Sequence, residues 1–153
     1  MNGFYDFKDL KVGMRVNVEG RYTGNASLQA EQMEIKLDGD LDEMEGNLES
    51  VDAAAGSISL FGAAFDMHAE TRILDLSKEA ISLEGLTPGM RIKTKGRMSP
   101  DRRYQPEKIK VKLVSPDSMD ELEGRIDSIN AEKCTIQLMG FTVLVGDHVE
   151  IEA

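Results

Sequence analysis

No tryptophan occurs in this chain of 153 residues, and cysteine occurs only once. A single cysteine excludes an internal disulfide framework, so the fold has to be held by a buried core, which this length allows. Cys134 is expected to be a small buried residue. Histidine is scarce too, at His68 and His148, and neither has the serine–carboxylate or cysteine company of a nucleophile and its base. No catalytic residue is assigned, no enzyme activity is expected, and each histidine reads as a surface or capping residue. Long apolar runs are missing: nothing approaches the roughly 20 residues that span a bilayer. The start, MNGFYDFKDL, lacks a basic region followed by an apolar one. A membrane partner is therefore not expected, and the chain is expected in the cytoplasm or as an exported protein whose signal has been removed. Cations are the minority charge, 18 Lys and Arg against 28 Asp and Glu, a formal net charge of −10. That balance works against indiscriminate nucleic-acid binding.

What is present is a repeat. LKVGMRVNVEGR from Leu10 aligns without a gap on LTPGMRIKTKGR from Leu86, and QAEQMEIKL aligns on QPEKIKVKL at the same offset. Each stretch alternates apolar and polar residues between glycines, the pattern of a β-hairpin. A second stretch, DEMEGNLESVDAAAGSISLFGAAFDM from Asp42, aligns on DELEGRIDSINAEKCTIQLMGFTVLV from Asp120. It reads as three short strands: Glu45 to Val51, Ser57 to Phe61 and Ala64 to His68, with the second copy at Glu123 to Ile129, Thr135 to Met139 and Thr142 to Val145. The chain thus reads hairpin, triplet, hairpin, triplet, the signature of an internal duplication. Phe4, Tyr5 and Phe7 form a lead-in expected to pack on the first hairpin. The connector from Glu70 to Gly85 is expected to hold a helical turn over Ile73 to Ala80 capped by Ser77.

Short strands, frequent glycines and almost no helical periodicity predict an all-β protein of two small Greek-key barrels of the OB type. The pattern EGNLESVDAAAGSISLFGAAFDMHAETRI, followed by LEGLTPGMRIKTKGR and PEKIKV, resembles the bacterial domain-of-unknown-function 5666 family. The matching positions are Gly46, Gly62, Thr71, Ile73, Leu86, Gly89, Ile92 and Gly96; the second copy departs where Thr71 becomes Val149. In that family the triplet precedes the hairpin. The resemblance therefore implies a complete unit over residues 40–115, and a second unit split between 1–39 and 116–153. Contiguous units over 1–76 and 77–153 are the other partition.

Two constellations invite a chemical reading. Asp38, Asp40 and Asp42 alternate, with Glu49 following, but Glu43 stands where a calcium loop needs glycine; an acidic solvated linker is expected and no metal or cofactor is assigned. The other is a concentration of positive charge between Arg91 and Lys112, nine cations against Asp101 and Glu107, a net +7 that leaves −17 elsewhere. Strand alternation places Arg91, Lys93, Lys95 and Arg97 on one face, with Lys108, Lys110 and Lys112 beside them. The turn between adds Arg102, Arg103 and the ring of Tyr104. Such a face serves a protein partner or self-association, and the chain reads first as a non-enzymatic binding or assembly module. The alternative is an OB-type binder of single-stranded nucleic acid or another polyanion.

Overall fold

The computed structural model describes residues 4–37, 39–101 and 103–153. In chain order the strands are β1 (Phe4–Tyr5), β2 (Arg15–Gly24), β3 (Ser27–Lys36), β4 (Asp42–Asn47), β5 (Ser50–Asp52), β6 (Ser57–Leu60) and β7 (Ala63–Asp66). They continue as β8 (Arg72–Leu74), β9 (Arg91–Met98), β10 (Tyr104–Lys112), β11 (Asp120–Asn130), β12 (Thr135–Leu138), β13 (Phe141–Leu144) and β14 (Glu150–Glu152). Two 3-10 turns, Phe7–Asp9 and Leu83–Gly85, are the helical content among the described residues. No helix there is long and apolar enough to cross a membrane.

The protein is all-β. Strands β2, β3, β13, β12 and β11 close into a five-stranded barrel: β2 lies antiparallel to β3 and β11, β12 joins β11 to β13, and β13 returns parallel to β3. The apolar members of each alternation fill it, with Val16, Val18, Leu122, Ile136, Leu138 and Val143 all at most 1% exposed. On its other edge β11 pairs with β4, which carries the sheet on through β9 and β10 to β8. The pairing of β4 with β9 repeats that of β11 with β2, while β5, β6 and β7 form a separate three-stranded sheet.

Several local expectations change. In the triplets, Glu45 to Val51 is broken at Leu48, whose amide bonds to Met90, while Glu49 bonds to Ser59. Phe61 and Met139 are not strand ends; they open two-residue turns at φ 55 each, followed by Gly62 and Gly140, the twist that suits a hairpin. The aromatic rings of Phe65 and Tyr104 lie 5.4 Å apart at the positions that align with Val143 and Leu28, which sit side by side in the β13–β3 ladder. Their bulk holds β7 off β10, and no ladder joins those strands among the described residues. The connector has no helical turn over Ile73 to Ala80, its one turn lying later at Leu83–Gly85; instead Asp75 Oδ1 accepts hydrogen bonds from the amides of Ser77 and Glu79, which tightens the chain after β8. Cys134 is half-buried rather than buried, at φ 52 in a turn.

Candidate interaction surface

Facing away from the core, polar residues form two rows that run straight across the strands. One reads Glu34, Asn17, Glu123, Glu43, Lys95, Lys108, and the other Gln32, Glu19, Glu121, Glu45, Lys93, Lys110, each residue opposite the next. The surface therefore passes from acidic on β3, β2, β11 and β4 to basic on β9 and β10. Directly opposed carboxylates, Glu123 against Glu43 and Glu121 against Glu45, would repel in a bare ladder. Cations delivered from both sides hold them together.

Two of those cations are arginines buried to 4% and 3% exposure, Arg15 and Arg91. Arg15 meets Glu123 at 2.9 Å and Asp42 at 3.3 Å and donates to the carbonyl of Leu41. Arg91 meets Asp120 at 3.0 Å and Glu45 at 3.2 Å and donates to the carbonyl of Met119. Each guanidinium thus ties a carboxylate on β4 to one on β11, one from either side of the joint. Asn17 completes the joint by donating to Glu121 and Glu123. Burial alone would push the Glu123 carboxyl up, but hydrogen bonds from Arg15 and Asn17 outweigh it and hold it below the usual range. For Asp42 burial wins over Arg15 and raises the carboxyl.

The residues that the sequence grouped as one basic site divide accordingly. Arg91 is a structural tie and is not available to a ligand. Lys93 reaches Glu43 at 3.4 Å and Glu121 at 3.9 Å, and Lys95 reaches Glu43 at 3.9 Å. Burial would lower the Lys93 ammonium, yet the charges of Glu121 and Glu43 keep it above its ordinary value. Arg97 pairs with Glu107 at 2.9 Å, Arg103 with Asp101 at 3.7 Å, and Arg102 lies outside the described residues. Tyr104 is no loop-tip stacking ring. It is 5% exposed, its hydroxyl shares a hydrogen bond with Thr94 and donates to the Asp42 carbonyl, and burial raises its pKa far above the ordinary value.

What stays open is a row along β10. Lys108, Lys110 and Lys112 repeat every second residue, about 6.7 Å apart, and no carboxylate among the described residues reaches them. Lys110 is held below its ordinary value by the charge of Lys108, then by burial, Lys95 and Lys112. Arg72 on β8 stands opposite Lys108 and extends the patch; it lies in the stretch that the sequence read as a connector, and so was missed.

Of the suggested calcium loop, Asp38 lies outside the described residues, Asp42 faces Arg15, and Glu49 accepts from the amide of Gly62. No cluster of three His, Cys, Asp or Glu suited to a metal occurs among the described residues. His68 and His148 are both exposed, and His68 Nδ1 accepts from the amide of Glu70.

No curated protein and no solved structure matches the chain. A family model does, over residues 3–34 and 45–110, which takes in both buried arginines and most of the two hairpins and the central triplet, and leaves out 35–44 and the chain beyond 110. The chain belongs to the family described as a domain of unknown function, DUF5666.

Proposed function

We propose that this chain is a non-enzymatic interaction module that docks an anionic protein surface on the lysine row of β10. The observation behind it is Lys108, Lys110 and Lys112 side by side, unneutralised, while every neighbouring lysine and arginine of that hairpin among the described residues already holds a carboxylate. Three like charges held together by strand geometry repel, and an anionic partner relieves that repulsion. Single-stranded nucleic acid, the second reading, has the same charge to offer, and the barrel's one parallel pair and strand order support an OB-type comparison. Such binders also need rings for bases to stack on. Here Phe61, Phe65, Phe141 and Tyr104 are all under 9% exposed, which favours the protein partner. We take the folding units to be residues 40–115 and 1–39 with 116–153, a partition that amide spectra of the separate 40–115 fragment test.

The functional test is a titration with labelled polyglutamate and, in parallel, a labelled oligonucleotide. Lysine-row docking requires polyglutamate binding that weakens with salt and is lost when Lys108, Lys110 and Lys112 become Glu. Tighter binding of the oligonucleotide, with a steep salt slope, would replace this reading with the second. No binding of either removes both.

A further inference from the structure

We infer that the anionic surface taken by the lysine row is the acidic end of a second copy of this chain; this rests on the reading just given. Towards the far end of the same sheet, β14, β3 and β2 carry Glu150, Glu152, Glu34 and Glu19 around a shallow cleft that also includes Asn17 and Gln32. Lys36 engages Glu34, whereas no cation among the described residues reaches Glu19, Glu150 or Glu152. Glu150 and Glu152 alternate on β14 with the same two-residue period as the lysines on β10.

The molecule already contains the contact that such a pairing would make. Lysines 93 and 95 of β9 are matched by carboxylates of β4 and β11. Left over are the lysines of β10 at one end of the sheet and Glu19, Glu150 and Glu152 towards the other. The rows on β10 and β14 cannot meet inside one molecule, because six inter-strand steps of about 4.8 Å separate them along the sheet. A second copy brings them together. Since the two patches differ, the contact is heterologous and head-to-tail, and it leaves a free patch at each end for a further copy.

The net charge of −10 opposes this association over long distances, while the rows attract at contact. Salt separates the two effects, since exposed charges are felt to about 30 Å at 0.01 M but only to about 10 Å at 0.1 M. Sedimentation velocity on the full chain should show a concentration-dependent rise in average size that strengthens from about 0.01 M to about 0.1 M salt and disappears by about 1 M. Reversing the basic end (Lys108→Glu, Lys110→Glu, Lys112→Glu) should abolish the rise. Reversing the acidic end (Glu150→Lys, Glu152→Lys) should do the same. Mixing the two variants should restore association, which also shows that each is folded.

A wild-type chain that sediments as a single copy throughout overturns the inference, as does association that survives either reversal. If polyglutamate still binds through the lysines to a chain that stays single, the self-pairing falls while the docking reading stands. If polyglutamate binding is absent as well, both fall.

Discussion

Replacing Arg91 by Met keeps the length of the side chain and removes only its charge and donors. Glu45 and Asp120, at 3.2 and 3.0 Å from the guanidinium, then lose their ion-pair partner, Glu45 keeping only Lys93 opposite and Asp120 only the Tyr22 amide, and the Met119 carbonyl loses its donor. Removing one partner of a buried ion pair costs about 3–5 kcal/mol when the other charge is left dry. The carboxylate side chains here are 19% and 21% exposed, so water recovers part of the loss, and about 3 kcal/mol is expected. For a chain of this size that lowers the midpoint of thermal unfolding by about 6–12 °C. Urea unfolding gives the free energy directly. A double-mutant cycle with Asp120→Asn assigns it: taking away the stranded carboxylate as well should return at least about 1 kcal/mol. Polyglutamate binding measured below the midpoint should not change. A loss under about 0.5 kcal/mol, typical of a surface site, or zero coupling to Asp120, would refute the assignment of Arg91 as a tie across the β4–β11 joint.

At Gly96 an added Cβ would lie 2.2 Å from the Gln105 carbonyl oxygen and 2.8 Å from Pro106 Cα, so Gly96→Ala must part β9 from β10. It should cost about 2–4 kcal/mol in urea unfolding, more than Gly89→Ala, where φ is +95 but the space is open; equal losses would contradict the close approach. Tyr104→Phe strands Thr94 and the Asp42 carbonyl and should cost about 1–2 kcal/mol; because burial raises the folded pKa of Tyr104, the wild type should also lose stability as pH rises beyond the ordinary tyrosine value, a loss absent in the variant. Glu123 has a lowered pKa, so its contribution is present above the ordinary glutamate value and lost as pH falls through its folded one. Asp42 has a raised pKa, so its ionised form opposes folding at neutral pH. Glu123→Gln should therefore cost more than Asp42→Asn at pH 7, with the gap closing in acid; the reverse order would show the two carboxylates wrongly ranked.

The β class, the strands and the turn glycines were legible because they rest on local signals. Val16 and Val18 alternate with Asn17, and Gly20 and Gly96 recur at the same place in two hairpins. Charge density was legible as well, but its use was not. Alternation placed Arg91, Lys93 and Lys95 on one face, yet only the register of β4 against β9 shows that Glu43 and Glu45 lie opposite Lys95 and Lys93. That register joins residues far apart in the chain. Tyr104 was misread for a related reason: a ring beside a turn with two arginines resembles an exposed one, whereas β10 begins at that residue and turns it inward against Phe65. Arg72 went unnoticed because a three-residue strand leaves no alternation to detect.

The β11–β2 ladder has a consequence for synthesis. Arg15 and Glu123 are 108 residues apart, so the first hairpin leaves the ribosome long before the strands that close its barrel. At a translation rate of about 5–20 residues per second it waits for several seconds with both edges unpaired. Non-local pairing of this kind is slow in any case, and an open edge invites pairing with other nascent chains. The alternating charges along β2 and β3, Arg15, Glu19, Arg21, Glu31, Glu34 and Lys36, lie on the strands that have to wait, and they discourage such wrong pairing until Glu121 and Glu123 arrive.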